Sequence, residues 1–430
     1  MYKINSPLES KNDELFIDGV STKKLAEKYD TPLYVISENR IRDNYRRLNE
    51  ALTRNYSKVK IYFAMKSNSN QQVLNILETE GANIDAVSPG EVVLALDSGF
   101  TTDRILFTGT SVRNDELKFL CEEKVTINID SLSELSRLLK ISIPKIISFR
   151  INPEIGAGHH DHCITAGKET KFGIWEQDVI KAYTMAKEAG VKKFGIHMHI
   201  GSGILDTQPY LGAIDKLLNI AKKIHDQLGI NFEFIDIGGG LGVPYSPEDK
   251  EIDLEQSIEE ILSLFKTKIT QYELGEPYFY IEPGRFIVCD TSILLTRVNT
   301  IKTTPYKKFI GVDAGFNTLL RPTMYGSYHH IVVANKMQQP DVERVDVAGP
   351  ICETGDLLAK NRNLPKIEEG DLLAILNVGA YGFAMSSQYN TRPRPAEILV
   401  KDGKYKVIRE QEQISELTVN QKTSTEWKQQ

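Results

Sequence analysis

Cysteine is scarce in this sequence, and its spacing argues against small cross-linked folds. Four cysteines occur in 430 residues, Cys121, Cys163, Cys289 and Cys352, and no two form a Cys-x-x-Cys pair. Disulfide frameworks and structural zinc sites need closely paired cysteines. The scatter therefore predicts a reducing, cytoplasmic compartment.

Long apolar runs and blocks of basic residues are also missing. No stretch approaches the roughly 20 apolar residues of a membrane-spanning helix, and Met1–Glu14 lacks the apolar core of a secretion signal. The net charge is -6, which argues against electrostatic binding to nucleic acid or to an anionic membrane. We therefore expect small-molecule partners.

The length predicts two domains, because 430 residues exceed one ordinary core. From Ser37 to Arg285, helical stretches such as Glu38–Asn55 alternate with apolar strands. The predicted strands are Val59–Lys66, Asn83–Val87, Ile105–Thr108, Thr126–Ile129, Ile146–Ile151, Phe194–Ile200, Phe232–Ile237 and Tyr278–Glu282. Eight such strands predict an α/β domain, a closed (β/α)8 TIM-like barrel over residues 37–285.

Beyond Arg285 the sequence changes to short β-rich runs separated by turns. These runs are Thr291–Val298, Phe309–Asp313, His330–Ala334, Val342–Ala348, Leu372–Asn377 and Ile398–Lys401. They predict an all-β domain of residues 286–415 that also includes residues 1–36. Residues 416–430 are predicted to be a polar tail.

Lys66 stands at the predicted end of the first barrel strand, on the same face as Tyr62 and Ala64. A buried ammonium must be desolvated, or its pKa must fall. Desolvated lysines are the ones that form Schiff bases with carbonyl compounds. The simpler alternative is a lysine that extends past the strand end into water.

More polar residues fall at the C-terminal ends of the predicted barrel strands, where barrel enzymes carry their active sites. They are Asp85 with Glu91 after the second strand, Arg150 in the fifth, His197 and His199 in the sixth, Asp236 in the seventh and Glu282 in the eighth. The segments Gly201–Gly203, Gly238–Gly240 and Glu282–Arg285 follow the last three strands. This concentration predicts an active site at that end of the barrel.

The glycine run Gly238–Gly242 does not have the dinucleotide-binding spacing GxGxxG. Its exposed backbone N–H groups suit a phosphate, which barrels often bind after strands seven and eight, and Ser202 would add a hydroxyl. A lysine, a phosphate site, a flat histidine and a carboxylate together suit pyridoxal 5'-phosphate, with Glu282 near the ring nitrogen.

A metal-dependent hydrolase is the main competing class. His197 and His199 have the spacing of two metal ligands, and His159–His162 adds three more histidines and an aspartate. That interpretation leaves Lys66, the glycines and Arg285 without roles, and a solvated loop explains His159–His162 equally well. We therefore predict no metal.

Several longer motifs resemble a known family. Tyr62–Asn68, His199–Ser202, Gly238–Gly240 and Glu282–Arg285 resemble the barrel-type, fold type III pyridoxal-phosphate decarboxylases, which include the ornithine, arginine and diaminopimelate decarboxylases. In the second domain, Arg321–Tyr325, Gly349–Asp356, Gly379–Tyr381 and Tyr389–Pro395 are similar to diaminopimelate decarboxylases. Gly203 and the loop Gly158–Gly167 depart from the commoner pattern.

The resemblance implies a role for each matched residue. Lys66 would bond to the cofactor and His199 would stack on its ring. The cofactor site would be completed by Asp85, Arg150, Ser202, Gly239, Gly240, Glu282, Gly284, Arg285 and Tyr381. The substrate's distal groups would meet Arg285, Arg321, Tyr325, Glu353 and Tyr381, and Cys352 would protonate the α-carbon.

The resemblance also implies an activity and an assembly. It implies a carboxy-lyase that converts meso-2,6-diaminopimelate into L-lysine and carbon dioxide in lysine biosynthesis, as a homodimer with shared active sites. A decarboxylase for a related amino acid or a carrier-bound acyl substrate remains an alternative. A catalytically inactive, cofactor-binding regulatory protein is another, although the chain has both Lys66 and Cys352. Glu282 argues against a racemase.

Overall fold

The computed structural model describes residues 5–158, 165–167 and 169–422, in two compact units. The first unit comprises Asn39–Asp290 with Gly379–Tyr381. The second comprises Met1–Glu38, Thr291–Val378 and Gly382–Gln430. Within the described ranges, no helix has both the length and the apolar character that a bilayer crossing requires.

The N-terminal segment contains four strands and one helix. They are β1 (Leu8–Lys11), β2 (Glu14–Ile17), β3 (Val20–Ser21), α1 (Thr22–Tyr29) and β4 (Leu33–Ser37). Strands β1 to β3 form an antiparallel sheet of their own.

The first unit is the predicted barrel. Its strands are β5 (Val59–Ala64), β6 (Asn83–Ala86), β7 (Ile105–Phe107), β8 (Thr126–Ile129), β9 (Ile146–Arg150), β10 (Lys193–His197), β11 (Phe232–Asp236) and β12 (Tyr278–Ile281). Its helices are α2 (Glu38–Asn55), α3 (Gln71–Thr79), α4 (Pro89–Asp97), α5 (Asn114–Glu123), α6 (Leu132–Ile141), α7 (Glu176–Ala189), α8 (Gln208–Leu228), α9 (Leu254–Gln271) and α10 (Arg285–Val288). Adjacent strands are parallel, and β12 pairs with β5 to close the ring, which confirms the predicted fold.

Local sequence explains where the barrel helices begin. The side chains of Asn70, Ser88 and Ser131 each accept a hydrogen bond from a backbone N–H in the first turn of the helix that follows. Such caps satisfy donors that have no partner inside the helix. Helices α4 and α6 therefore begin soon after β6 and β8 end, whereas longer loops follow β9, β10 and β11.

The second unit is a mostly β structure. Its elements after the barrel are β13 (Ser292–Thr303), β14 (Lys308–Val312), α11 (Arg321–Tyr325), β15 (Ile331–Val333), β16 (Glu343–Ala348), β17 (Leu357–Leu364), β18 (Leu372–Ile375), β19 (Ala396–Lys401) and β20 (Lys404–Arg409). Strand β4 lies between β13 and β19, so the N-terminal segment contributes a central strand of this sheet. Strands β17 and β20 were not predicted. A one-turn 3-10 helix, Ile414–Thr418, extends into the predicted polar tail.

Candidate active site

Lys66 lies just beyond the first barrel strand. Strand β5 ends at Ala64, and Lys66 occupies a single 3-10 turn, Met65–Ser67. The prediction that Lys66 ends the strand was therefore wrong by two residues. The Ala64 N–H donates to the carbonyl of Pro283 at 3.1 Å. Beyond Pro283 the neighbouring chain turns into α10, so the β12 side offers β5 no further partner.

The Lys66 ammonium is paired with Asp85. Nζ lies 2.5 Å from Oδ2 of Asp85, which is fully buried, and the Thr108 hydroxyl donates to the other oxygen of that carboxylate. Burial alone would lower the pKa of Lys66, but the charges of Asp85 and Glu282 raise it above its ordinary value. Of the two possibilities that the sequence left open, a desolvated ammonium or a lowered pKa, the structure shows the first, because the strand end supplies a carboxylate.

The pKa of Asp85 is also shifted, by causes that oppose one another. Burial and the neighbouring Glu282 charge raise the pKa of Asp85, while Lys66 and Thr108 oppose that shift. The pair therefore joins an ammonium to a carboxylate with increased proton affinity. In the cofactor-free chain the raised pKa of Lys66 keeps the proton on the ammonium.

His199 and the glycine run are held together by a hydrogen bond. The Gly239 N–H donates to Nδ1 of His199 at 3.1 Å. Burial, followed by the charges of Arg150 and Lys66, lowers the pKa of His199 well below its ordinary value. The imidazole is therefore neutral, with a flat uncharged face.

Steric crowding explains why glycines occupy the turn Gly238–Gly240. A Cβ on Gly239 would lie 2.1 Å from the Glu282 carbonyl oxygen, and one on Gly240 would lie 2.7 Å from the Gly201 carbonyl oxygen. Gly240 also has φ +108°, a region that favours glycine. The turn thus brings backbone close to the ends of β10 and β12, as a phosphate-binding loop requires.

Glu282 follows β12 directly and is buried beside His197. Nε2 of His197 lies 3.2 Å from Oε1 of Glu282. Burial would raise the pKa of Glu282, but His197, Lys66 and His199 lower it to about 2. Glu282 is therefore an ionised carboxylate inside the barrel.

Arg150 and Arg285 are two buried guanidinium groups of the same unit. Arg150 lies 4.3 Å from the centre of the Phe172 ring, and its Nη2 has no hydrogen-bond partner within the described ranges. Arg285 donates to the Ser202 hydroxyl at 3.1 Å and to the Tyr245 hydroxyl at 2.5 Å. Ser202 and Arg285 are thus brought together, as the cofactor prediction requires.

Tyr381 and Gly284 also belong to the barrel unit. Tyr381 has φ +58°, and its N–H donates to the Ser67 carbonyl at 2.8 Å, next to Lys66. The Arg285 guanidinium lies 5.1 Å from the centre of the Tyr381 ring. A Cβ on Gly284 would lie 3.0 Å from Oγ of Ser67, so Gly284 allows the two strand ends to approach.

The other four predicted residues belong to the β unit. Arg321 is buried, donates to the Ser327 hydroxyl at 3.1 Å and lies 5.6 Å from the centre of the Tyr325 ring. Cys352 and Glu353 are exposed on the loop between β16 and β17. The Cys352 N–H donates to Asn390, and the Tyr389 hydroxyl donates to Glu353 at 2.7 Å.

One group of side chains in the described ranges has the composition of a metal site. One ligand atom from each of His197, Asp236 and Glu282 lies within 4.8 Å of the other two. His199 is not part of this group, so the paired-histidine arrangement considered from the sequence is not the one that forms. The other metal candidate, His159–His162, lies outside the described residues.

Three residues of the site were missed from the sequence. Thr108 bonds to Asp85, Asn128 lies 3.4 Å from Nδ1 of His197, and Tyr245 bonds to Arg285. A polar residue inside an apolar strand was an available signal for Asn128, and a position just after a barrel strand was one for Thr108. Nothing local distinguishes Tyr245.

Comparison with known families defines the class first. The family model described as "Pyridoxal-dependent decarboxylase, pyridoxal binding domain" matches residues 38–289. That range covers the barrel and every barrel residue discussed above except Tyr381. The fold and this match define a barrel-type pyridoxal-dependent decarboxylase.

Individual relatives narrow the assignment. The chain is 55% identical to a diaminopimelate decarboxylase of Methanothermobacter thermautotrophicus over 94% of each chain. It is 42% identical to that of Archaeoglobus fulgidus, covering 96% of this chain and 98% of the relative. A diaminopimelate decarboxylase structure from M. jannaschii with L-lysine superposes with a TM-score of 0.89 at 34% identity, covering 98% of both chains. The chain belongs to the diaminopimelate decarboxylase family, which confirms the resemblance read from its motifs.

Proposed function

We propose that this chain removes one carboxyl group from meso-2,6-diaminopimelate, giving L-lysine and carbon dioxide, with pyridoxal 5'-phosphate as cofactor. The observation that carries the proposal is the Lys66–Asp85 pair at the C-terminal end of a barrel that also holds Glu282. Identity of 55% to a relative of that name supports the choice of reaction. We also place the protein in the cytoplasm, because its cysteines are few and scattered.

The residues present fit this cofactor. Glu282 is ionised and buried, as a partner for a protonated ring nitrogen must be. The neutral imidazole of His199 suits stacking on the ring. The phosphate would be held by Ser202, Gly239, Gly240, Gly284, Arg285 and Tyr381, while Arg150 and Asp85 border the ring. Within the described ranges the Gly240 N–H has no hydrogen-bond acceptor, which leaves a donor for the phosphate.

When bound, the cofactor supplies an electron-accepting ring that stabilises the charge left on the α-carbon. Lys66 supplies the amine that would hold the cofactor covalently, and it must first lose a proton. Asp85 is 2.5 Å away and has increased proton affinity, so it is placed to receive that proton. Glu282 keeps its negative charge where positive charge on the ring nitrogen is needed.

The residues matched by the family motifs would also recognise the far end of the substrate. Arg285, Arg321 and Tyr325 would bind the distal carboxylate, because a guanidinium offers paired donors to it. Glu353 and Tyr381 would bind the distal ammonium. Cys352 would return a proton to the α-carbon after the carboxylate has left.

A substrate panel tests this proposal. Carbon dioxide release is measured from meso-diaminopimelate, lysine, ornithine and arginine with added cofactor, and Lys66→Ala is the control for background. We expect diaminopimelate to be preferred by a factor on the order of 10⁴, because a site built around a polar group rejects analogues that lack it. Lysine or ornithine turnover within a few-fold of diaminopimelate would contradict the substrate assignment. No release from any substrate would favour the inactive relative.

We further propose a homodimer whose loops carry Cys352 and Glu353 into the partner subunit's site. Both residues are exposed on the β16–β17 loop, and a two-fold interface would deliver two such loops. The test mixes inactive Lys66→Ala and Cys352→Ala subunits. Shared sites would restore roughly a quarter of the parent activity, because half of the dimers would each have one intact site. No recovery despite proven subunit exchange would show that each chain completes its own site.

A further inference from the structure

Glu282 is one of a group of three buried side chains, and the cofactor assignment gives the other two no role. His197, Asp236 and Glu282 end or follow the neighbouring strands β10, β11 and β12, and each is at most 5% exposed. Two carboxyl groups so close together cannot both be ionised without strong repulsion unless a cation lies beside them. Their protonation states are therefore linked.

His197 is arranged as a hydrogen-bond donor to Glu282. The amide nitrogen of Asn128 faces Nδ1 of His197 at 3.4 Å. With the amide nitrogen as donor, Nδ1 accepts and the ring proton lies on Nε2, which is the tautomer that the proposal below assigns. Nε2 lies 3.2 Å from Oε1 of Glu282, and neither atom makes a hydrogen bond of full geometry to any described residue, so each is available to the other.

Asp236 is arranged as a protonated acid. Its Oδ1 accepts the Gly238 N–H at 2.8 Å, whereas the fully buried Oδ2 has no acceptor or donor among the described residues. Burial, and then the Glu282 charge, raise the pKa of Asp236 well above its ordinary value. A proton on Oδ2 gives this atom a hydrogen to donate toward Glu282, which lies in the same group.

The surrounding charges favour this proton-sharing arrangement over a metal ion. The charged and titratable groups whose fields act on Glu282 are His197, His199, Asp236, Lys66, Asp85 and Arg150. Lys66 and Arg150 already bring two cationic side chains to the negative charges of Glu282 and Asp85. A divalent cation would add positive charge to a balanced site and would have to displace the proton of Asp236.

We propose that His197 and Asp236 are positioning residues that donate hydrogen bonds to Glu282 and hold it as an oriented carboxylate for the cofactor's ring nitrogen. This inference rests on the proposed function for the purpose of the carboxylate. The hydrogen-bonded group itself is a property of the cofactor-free chain. The two can therefore fail separately.

The first test uses the cofactor-free protein and needs no activity. Infrared difference spectra at about pH 8 report protonated carboxyl groups through their C=O stretch. At that pH the capping carboxylates Glu91 and Glu134, whose pKa burial raises to about 7, are mostly ionised. We expect a protonated-carboxyl band that Asp236→Asn removes. The control Tyr62→Phe removes a buried hydroxyl next to the Tyr280 ring and should leave the band in place.

Two outcomes of that test would overturn the inference. One is a parent protein without the band, or with a band that Asp236→Asn does not change. The other is a stoichiometric divalent metal in the purified cofactor-free protein that Asp236→Asn releases. A normal band in a protein without decarboxylase activity would leave the inference standing and contradict the proposed function alone.

The second test separates positioning from packing in the cofactor-bound enzyme. With nitrogen-15-labelled cofactor, His197→Leu should shift the ring-nitrogen resonance toward its unprotonated position and lower kcat by about 10- to 100-fold with little change in KM. His197→Gln, which keeps an N–H donor, should recover most of both. Equal loss in the two variants, or an unmoved resonance in His197→Leu, would show that His197 only fills space.

Discussion

Three neighbouring barrel strands, β10 to β12, each contribute to two successive layers of the barrel interior. Residues two apart on a strand point to the same side. One layer contains Gly195, Phe234 and Tyr280, which pack against one another. The next, two residues further along each chain segment, contains His197, Asp236 and Glu282, whose polar atoms lie within 4.8 Å of one another. The same strands therefore support packing in one layer and chemistry in the other.

The packing layer is aromatic and closely fitted. The rings of Phe234 and Tyr280 are stacked with centres 4.4 Å apart, and Tyr62 lies 4.7 Å from Tyr280. Gly195 makes room for them, since a Cβ there would lie 2.2 Å from the Phe234 ring. The polar layer has no such rings and instead holds buried charges that oppose one another. The comparison indicates that the aromatic layer stabilises the barrel. This stabilisation offsets the free-energy cost of burying the charges of the polar layer.

Removing an aromatic ring should have the largest effect on folding. Phe234→Ala leaves a cavity in the packing layer and should lower the free energy of unfolding by about 3–5 kcal/mol. Turnover per folded molecule should change little, because Phe234 does not border the cofactor site. Urea unfolding and kcat, measured on the same preparation, check both expectations. Parent-like stability with a large loss of kcat would break the distinction between the layers.

The matching change in the polar layer should lower turnover strongly and change the stability of the fold little. Glu282→Gln keeps the size of the side chain but removes its charge, and kcat should fall by about 10²–10³. The cofactor-free variant should unfold near the parent's denaturant midpoint, because the hydrogen-bond donors around position 282 keep an acceptor. A near-normal turnover number would show that another group manages the ring nitrogen.

A smaller loss of stability is expected from a change at Gly195, which packs against Phe234 in the packing layer. Gly195→Ala should destabilise the chain by about 1–3 kcal/mol through overpacking against Phe234. Combining it with Phe234→Leu should cost less than the sum of the two single changes, since the smaller side chain releases the clash. Strict additivity of the two unfolding free energies would mean that the ring and the glycine do not interact.

A carboxylate outside the site gives the smallest expected effect and a contrast to Glu282. Burial raises the pKa of Glu134 to about 7, so the folded chain binds this proton more tightly than the unfolded chain. The associated stability is present below about pH 4.5 and is lost as pH rises through about 7. Glu134→Gln should therefore match the parent in acid and exceed it above neutrality by an amount on the order of 1 kcal/mol. Parallel stability curves for the two proteins would contradict this assignment.

Much of the barrel was predictable because its strands are apolar and its helices amphipathic. Helix α2 has the predicted bounds, and its stripe of Ile41, Tyr45, Leu48 and Leu52 is buried. Strands β17 and β20 escaped prediction because charged residues interrupt them: Lys360 and Arg362 in β17, Lys404 and Lys406 in β20. Edge strands need only one apolar face, so their sequences carry a weaker signal.

The site was predictable as a set of residues but not as a set of contacts. Lys66, Asp85 and Glu282 could be named because each stands near a strand end. Lys66 meets Asp85 because β5 pairs with β6, and His197 meets Glu282 because β10, β11 and β12 lie side by side. Residues 85 positions apart in the chain, as His197 and Glu282 are, meet only through that pairing of strands. Local periodicity cannot reveal their distance or their protonation.

The most direct measurement locates the cofactor on the chain. Purified protein is incubated with pyridoxal phosphate, reduced with borohydride, digested and mapped by mass spectrometry, with Lys60→Arg as a matched control lysine on the same strand. The account predicts one modified residue, Lys66, in both the parent and the control, and no stoichiometric label in Lys66→Ala. A stoichiometric label on any other lysine of the parent would contradict the assignment of the active site.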